Sequence, residues 1–490
     1  MFETEKGDAG SISESYPEYQ TTSRLDELRA TEYEYLDQQD HVYLDYTGSG
    51  LAAYAQYRAH QERLTNTLCG NPHSVNPTSE AATILVNQAR ARVLKHLKAS
   101  PDEYTVIFTP NATGAARIVG ESYRFSRGTK LVLTADNHNS INGLREFARR
   151  GHSKTVYVPV QKHDLRVNPK TLKSTLGRQS PWDRLCGLGK RGGKGLFAYP
   201  AQSNFSGVRH PLSWVNLAQE HGYDVLLDAA AYLPTASIDL SIIQPEFLIV
   251  SWYKLFGYPT GLGCLIIRHS AMARLSRPWF SGGTIKAVSV ALPWHEMAPD
   301  ESAFEDGTLN FLFIPDVHFG LDWLASIGMD VISTRVRCLT GWFLDRLLRL
   351  SHSDGSPMIK IYGPTDTTAR GGTIPFNFLD AMGNIVDERM VATESAEARI
   401  SLRTGCFCNP GAAESALELK LSNLLPLLHT KAASLDDFIR IIGLPSAGCI
   451  RVSFGLASTA EDVDRFFDFA VKTYRDRITS NKGLIPRDRC

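Results

Sequence analysis

Short apolar segments that alternate with helical segments dominate residues 104–268 of the chain. Several of these segments are apolar at nearly every position, which is typical of strands that are buried on both faces of a sheet. The pattern therefore predicts an α/β fold in which helices cover both faces of the sheet. The predicted strands are residues 104–110, 130–136, 154–160, 195–200, 224–230, 247–252 and 263–268.

The pattern changes after about residue 300, where the strands are shorter and the helical segments longer. Residues 319–350 predict two helices, and residues 459–478 predict a closing helix that starts with a capping box of Thr459 and Asp462. A chain of 490 residues can form more than one domain. We predict an acidic, disordered segment at 1–35, a large domain at 36–300 whose N-terminal arm contributes to the small domain, a small α+β domain at 301–478, and a tail at 479–490.

Two further segments carry specific predictions. Residues 78–98 have apolar side chains at helical spacing, and Thr78 or Ser79 is the predicted N-cap. Residues 161–194 are polar and basic and end in "GLGKRGGKG". We predict a surface excursion between two strands there, which is either a plain solvated loop or a loop that contacts phosphate.

The charge balance excludes several function classes. Lys+Arg and Asp+Glu number 52 each, so the formal net charge is zero, whereas a nucleic-acid or membrane-surface protein needs a basic bias. No apolar run approaches the roughly 18 residues of a spanning helix, and the N-terminus is acidic and polar rather than a secretory or transit signal. We therefore expect a cytoplasmic protein without nucleic-acid or membrane partners.

The chain contains eight cysteines, and they are scattered along its length. This spacing favours reduced thiols over a disulfide framework. Cys406 and Cys408 are separated by one residue, but zinc usually requires a CxxC pair together with a second pair or with histidines. We therefore expect no metal site.

Polar residues follow the predicted strands at the edge of the sheet where ligands bind in open α/β folds. The stretch "FTPNATGAAR" turns from a strand into a helix, whose first turn is a potential anion site. His138 and Asp228 each follow an apolar strand, and Lys254 lies between aromatic residues after the next strand. Alone, each residue has an ordinary structural explanation, such as a helix cap or an ion pair.

Together these residues match the needs of pyridoxal phosphate (PLP). The cofactor needs an amine for its imine (Lys254), a carboxylate for its ring nitrogen (Asp228), a flat partner for its ring (His138) and donors for its phosphate. The other candidate from spacing is a nucleotide-binding α/β protein, but the chain lacks GxGxxG and the P-loop lysine pattern.

Nine motifs in a fixed order extend this pattern over residues 40–475: "YLDYTGSGLA", "FTPNATGA", "AQSNFSGVRHPL", "LLDAAAYLPT", "SWYKLFGYPTGLG", "SGGT", "FEDGTLNF", "LRTGCFCNPGA" and "IRVSFG". In these motifs the chain resembles the PLP-dependent class V aminotransferase family, in its cysteine desulfurase branch. It resembles in particular the N-terminal, desulfurase-like part of the molybdenum cofactor sulfurases. Because the chain ends at Cys490, we expect no counterpart of their C-terminal cofactor-binding domain.

The resemblance implies a PLP-dependent transferase of fold type I. It implies a homodimer, a large domain with a mostly parallel seven-stranded sheet, a smaller α+β C-terminal domain and PLP bound near the subunit boundary. Lys254 matches the imine lysine, Asp228 the ring-nitrogen partner, His138 the residue over the ring and Asn204 the residue that bonds the ring hydroxyl. The residues that match phosphate contacts are Ala112, Thr113, Ser251 and, for the partner subunit's phosphate, Thr284.

The resemblance also implies the residues that act on the substrate. Arg451 matches the residue that binds the substrate carboxylate, because its planar fork suits bidentate binding, and Arg403 is a second candidate. Cys408 matches the mobile thiol that accepts sulfur as a persulfide. Cys406 either relays sulfur or is structural.

The predicted function is that of a cysteine desulfurase-like enzyme, similar to the molybdenum cofactor sulfurases. It would abstract sulfur from L-cysteine as a persulfide on Cys408 and yield L-alanine, with Lys254 and His138 moving protons. The sulfur would pass to an acceptor protein or cofactor. One alternative is a PLP-dependent amino-acid lyase, aminotransferase or epimerase. Another is a silent scaffold for a sulfur-relay partner, which is expected to have lost Lys254 or Asp228.

Overall fold

The computed structural model describes residues 11–72, 74–177, 195–444 and 446–487. The predicted strands of the first half are all present, with bounds that differ from the predicted ones by at most two residues. The strands are β1 (Val42–Tyr43), β2 (Tyr104–Thr109), β3 (Lys130–Thr134), β4 (Lys154–Val158), β5 (Gly195–Pro200), β6 (Tyr223–Asp228), β7 (Phe247–Ser251), β8 (Gly263–Arg268), β9 (Ile285–Ser289), β10 (Trp294–Met297), β11 (Ile359–Ile361), β12 (Thr373–Phe378), β13 (Ile400–Ser401), β14 (Arg403–Gly405) and β15 (Cys449–Ser453).

Helices fill most of the chain between these strands. Short 3-10 helices lie at Pro17–Thr22, Glu301–Phe304 and Leu425–Leu428. The α-helices are α1 (Ile12–Ser15), α2 (Arg24–Glu32), α3 (Tyr35–Gln38), α4 (Tyr54–Asn66), α5 (Pro77–His96), α6 (Ala112–Ser122), α7 (Asn139–Asn142), α8 (Leu144–Arg150), α9 (Pro169–Gly177), α10 (Trp214–Glu220), α11 (Trp252–Phe256), α12 (His269–Met272), α13 (Ile314–Ile327), α14 (Met329–Arg349), α15 (Glu388–Glu397), α16 (Pro410–Ala416), α17 (Leu421–Leu424), α18 (Leu435–Ile442) and α19 (Ala460–Tyr474).

A seven-stranded sheet in the order β2-β8-β7-β6-β5-β3-β4 forms the centre of the fold. β8 runs antiparallel to β2 and β7, and the other pairs are parallel. Every residue of β2, β5 and β7 is buried, as the continuous apolar runs predict for a sheet covered on both faces. The prediction of an α/β fold with a mostly parallel sheet is confirmed.

A smaller antiparallel sheet in the order β11-β12-β15-β14 follows in the chain. The two helices predicted at 319–350 are α13 and α14, and α19 starts with the predicted capping box of Thr459 and Asp462. The predicted cap of the helix at 78–98 is wrong. Asn76 is the N-cap of α5, because its side chain accepts a hydrogen bond from Ser79 N and Pro77 occupies the first turn.

The N-terminal segment differs from its prediction. Residues 1–10 lie outside the described residues, but residues 11–35 form helices packed on the smaller sheet's helices, so the expectation of disorder is wrong there. Arg29 binds Asp462 at 3.2 Å, and Arg335 of α14 binds Asp26 at 2.6 Å. Both arginines are buried, and these ion pairs explain how a polar segment docks.

Two further segments remain, and only the one at 161–194 is predicted from the sequence. Of the excursion at 161–194, residues 178–194 lie outside the described residues, so its phosphate-contact alternative stays a prediction. Residues 285–297 form the antiparallel hairpin β9–β10, which exposes Val288, Val290, Leu292 and Trp294. Within the described ranges, no helix has both the length and the apolar character needed to cross a membrane.

Candidate active site

A cavity of about 100 Å³ lies at the carboxyl ends of the parallel strands. The ends of β2, β3, β5, β6 and β7 and the residues that follow them form its wall, as expected for a ligand site in an open α/β sheet. The predicted residues on this wall are Ala112, Thr113, His138, Asn204, Asp228, Ser251 and Lys254. The fold therefore brings seven of the sequence-predicted residues together in one place.

Lys254 reaches the cavity from α11, the five-residue helix that follows β7 directly. Trp252, Leu255 and Phe256 of this helix are buried, which fixes the helix and leaves the lysine toward the cavity. Gly257 ends the helix at φ +75°, and a Cβ atom there would collide with the backbone of Leu51 and Ala52. Burial lowers the pKa of the Lys254 amine, Asp228 opposes this shift and Arg451 adds to it.

Asp228 ends β6 and faces the same cavity. Its Oδ1 accepts a hydrogen bond from Ala230 N at 3.0 Å. Within the described residues, its Oδ2 and the Lys254 Nζ form no hydrogen bond or ion pair. An amine and a carboxylate oxygen are thus both available to a bound group.

His138 is the N-cap of α7, and its Nδ1 accepts a hydrogen bond from Ser140 N at 3.1 Å. Burial, and to a smaller extent the nearby Lys254, lowers the pKa of His138 to about 4, and Asp228 opposes this shift. The imidazole is therefore neutral near pH 7, and a neutral flat ring suits stacking on an aromatic ligand.

The other end of the cavity is the start of α6. Asn111 caps this helix by accepting a hydrogen bond from Gly114 N at 2.9 Å. Thr113 Oγ1 lies 2.7 Å from Ser140 Oγ, and both residues line the cavity with Ser251. Hydroxyls beside the first turn of an eleven-residue helix provide donors and a positive dipole end for an anion. Sequence reasoning missed Asn111 and Ser140 as lining residues.

The two predicted substrate arginines lie together outside the cavity wall, on β14 and β15. Asp45 joins them: its Oδ1 accepts from Arg451 Nη2 at 2.9 Å and its Oδ2 from Arg403 Nη2 at 2.6 Å. Arg451 is buried and also donates to Asn204 O at 3.0 Å. Sequence reasoning missed Asp45, although a carboxylate directly after the buried Val42–Leu44 segment was a signal.

Cys408 is exposed with a free thiol, and its carbonyl oxygen accepts a hydrogen bond from Asn139 N at 2.7 Å. The thiol therefore lies on a loop whose backbone is bonded to the residue after His138. Cys406 is disulfide-bonded, so the expectation of reduced thiols is wrong at this position. The free cysteines of the described residues are Cys69, Cys264, Cys338, Cys408 and Cys449.

Thr284 is the one predicted cofactor residue that is not on the cavity wall of this chain. Its hydroxyl binds the backbone of Ser281, and it precedes the exposed hairpin β9–β10. Thr284 is buried in this chain, and its action on a partner subunit stays a prediction.

Comparisons with known proteins identify relatives of this chain. Molybdenum cofactor sulfurase of Bos taurus is 35% identical over 487 residues, covering 94% of this chain and 52% of that protein. Molybdenum cofactor sulfurase of Solanum lycopersicum is 34% identical, covering 94% of this chain and 59% of that protein. The chain thus spans just over half the length of these curated relatives.

A solved structure has the same fold. The apo structure of cysteine desulfurase from Thermococcus onnurineus NA1 superposes with a TM-score of 0.72 at 21% identity, covering 92% of this chain and 98% of that chain. The family model described as aminotransferase class-V matches residues 42–466, a range that includes every predicted site residue. The chain belongs to the class V aminotransferase family.

Proposed function

We propose that the protein is a PLP-dependent cysteine desulfurase. The observation that carries this proposal is the proximity of a thiol loop to two groups that have no hydrogen-bond or ion-pair partner among the described residues. The Lys254 amine and one Asp228 oxygen face the same cavity, and the free thiol Cys408 lies on a loop bonded to Asn139 beside it.

The residues of the cavity suit PLP, which is the cofactor of class V aminotransferases and cysteine desulfurases. Lys254 would hold it covalently, Asp228 would keep its ring nitrogen protonated and the neutral His138 would stack on its ring. Asn204 would bond its hydroxyl, and Ala112 and Thr113 at the start of α6, together with Ser251 at the end of β7, would bind its phosphate. When bound, the cofactor withdraws electrons from the substrate and so weakens bonds at its α-carbon.

The remaining residues would bind the substrate and take the sulfur. Arg451 would bind the carboxylate of L-cysteine, because the described residues occupy two of its donor groups, through Asp45 and Asn204 O, and leave the others for a substrate. Lys254, whose pKa is lowered by burial, would move a proton at the substrate's α-carbon. Overall, L-cysteine and the Cys408 thiol would give L-alanine and a Cys408 persulfide, which conserves all atoms and electrons.

The curated relatives support a more specific proposal. They are named molybdenum cofactor sulfurases, so we propose that the Cys408 sulfur is destined for a molybdenum cofactor or for a protein that delivers it. This acceptor is a separate question from the desulfurase step.

The quaternary state is part of the proposal. The apolar side chains exposed on β9–β10 include Val290 and Leu292, which favour contact with another protein surface. We propose a homodimer in which the hairpin packs on the second copy and Thr284 reaches the partner's cofactor site. Size-exclusion chromatography with light scattering should give twice the 54.2 kDa chain mass.

The first experiment tests the desulfurase step directly. Purified protein loaded with PLP is incubated with L-cysteine and a reductant, and alanine and sulfide are measured together. Equal amounts of both products are expected. An intact PLP absorbance with no alanine would contradict the proposal and favour a lyase, aminotransferase or epimerase, which a screen of other amino acids would then identify.

A further inference from the structure

Asn409 follows Cys408 directly, and it is fully buried although asparagine is polar. It is the N-cap of α16, because its Oδ1 accepts a hydrogen bond from Ala412 N at 3.2 Å. Its Nδ2 donates two further hydrogen bonds, to Asp136 O at 2.7 Å and to Asn204 Oδ1 at 2.9 Å. A residue that served only as a cap would not need these two donations.

The second contact closes a ring of hydrogen bonds. Asn204 Nδ2 donates to Phe407 O at 2.8 Å, so the side chain of Asn204 binds the loop on both sides of Cys408. Asn139 N donates to Cys408 O at 2.7 Å. Residues 407, 408 and 409 are thus each bonded to a segment that follows a strand of the large sheet and borders the cavity.

The loop backbone needs such support. Phe407 and Cys408 have φ values of +57° and +53°, in the left-handed region that side chains other than glycine rarely adopt. Two such residues in succession cost about 1–3 kcal/mol each and persist only where surrounding contacts impose them. Released from its contacts, the loop would relax and move the thiol.

The residues that follow Cys408 also require the loop to lie close to the large sheet. A Cβ atom at Gly411 would collide with the carbonyl oxygen of Ala135, at the end of β3. Phe407 packs under the guanidinium of Arg451 at 4.7 Å and against the ring of Phe205 at 5.3 Å. The loop therefore touches the predicted carboxylate-binding residue as well as the cavity residues.

We infer that Asn409 is a positioning residue that clamps the Cys408 loop against the cofactor site through Asn204 and Asp136. The inference rests on the proposed desulfurase function and adds to it the residue that determines the position of the Cys408 thiol. The clamp acts on the sulfur-accepting step and leaves cofactor binding intact, because Nδ2 of Asn204 retains a second hydrogen for the cofactor hydroxyl.

The test distinguishes two roles of Asn409, holding the Cys408 loop in position and capping α16. Asn409→Asp keeps an N-cap acceptor for α16 and loses both donations. Asn409→Ser keeps an N-cap acceptor without adding a charge, and its single, shorter hydroxyl donor cannot replace both donations. Asn76→Asp is the matched control, since it makes the same change at the N-cap of α5, away from the cavity. All variants are made in the full chain and loaded with PLP.

Three measurements are made on each variant. For both Asn409 variants we expect unchanged PLP absorbance, and a rate of persulfide formation on Cys408 that falls at least about tenfold because the thiol is no longer held in position. Alkylation of Cys408 by iodoacetamide should change by less than about threefold, because an external reagent does not depend on that position. Asn76→Asp should match the wild type throughout.

Hydrogen exchange at the Asn139 amide provides a readout that needs no activity. This amide donates to Cys408 O, so its exchange should be at least about tenfold faster in both Asn409 variants than in the wild type. Wild-type exchange and wild-type persulfide formation in Asn409→Asp would overturn the clamp and leave only a cap. A wild-type protein that forms no persulfide would refute the proposed function, while exchange at Asn139 would still decide the clamp.

Discussion

Lys254 and Cys408 are held in opposite ways. Lys254 is carried on a short helix directly after β7, beside the buried Trp252 and Leu255, and its side chain is half-buried in the cavity. Cys408 is exposed on a loop with left-handed backbone, held by residues that lie about 200 or more positions away, including Asn204 and Asp136.

The difference suggests a division of labour between the two regions. The amine must stay in one place with a lowered pKa, and a rigid strand end in the large sheet provides both. A thiol that takes sulfur and hands it on must reach solvent and still meet the cavity. A strained loop fixed by a few directional hydrogen bonds meets both needs, because those bonds can be exchanged at modest cost.

The largest effect is expected when the Lys254 amine is removed from the cavity. Lys254→Ala should abolish the visible absorbance of covalently held PLP and lower alanine formation from L-cysteine by roughly 10³-fold or more, because the attachment point and the proton carrier are lost together. Absorbance spectroscopy and an alanine assay measure both. Retained absorbance at its wild-type wavelength would show that another amine holds the cofactor.

Removal of the Cys408 thiol from its loop should have a more selective effect. Cys408→Ala should keep the PLP absorbance and lower sulfide release by roughly 10²-fold or more, because only the sulfur acceptor is removed. The control is Cys69→Ala, which removes another free thiol and should behave as the wild type. Unchanged sulfide release from Cys408→Ala would assign the nucleophile elsewhere.

The arginine pair lies between the two regions and should give graded effects. Arg451→Gln should raise KM for L-cysteine about 10- to 100-fold, as expected for a charged hydrogen bond worth about 1.5–3 kcal/mol. Arg403→Gln should raise it by less than about fivefold, because its side chain is 49% exposed. Steady-state kinetics decide this order. Equal effects would mean that both arginines bind the substrate.

The smallest expected effect is a pH dependence of the free energy of unfolding that comes from His138 in the cavity wall. The pKa of His138 is lowered from 6.5 to about 4, so the unfolded chain binds more protons than the folded one between these values. The free energy of unfolding should therefore fall as pH drops from about 6.5 to 4, by about 1–2 kcal/mol for this residue after allowance for its partial exposure.

Urea unfolding of the cofactor-free protein at pH 7 and pH 4.5 measures this difference. His138→Gln should lose less stability on acidification than the wild type, since the buried neutral imidazole is gone. His163→Gln is the control, because the side chain of His163 is exposed. An identical pH dependence in His138→Gln and the wild type would place the acid sensitivity at other groups, such as the buried His96.

The cavity residues could be predicted from the sequence for a physical reason. Asp228 and Lys254 follow apolar strands, and strand ends of a parallel sheet converge at one edge, so local patterns determine which residues meet. Asn409 and Asp45 could not be found this way, because their partners are distant in the chain and only the packed fold reveals them. The N-terminal prediction failed because α2 docks through the buried Arg29 rather than through an apolar face.

That docking has a consequence for how the chain is made. Arg29 Nη1 donates to Ala457 O at 2.7 Å, a residue 428 positions later, and binds Asp462 just beyond it. Since synthesis proceeds at about 5–20 residues per second, helix α2 leaves the ribosome tens of seconds before its docking site exists. Helix α2 of the nascent protein is therefore undocked during most of its synthesis, and it can dock only after the C-terminal half has been made.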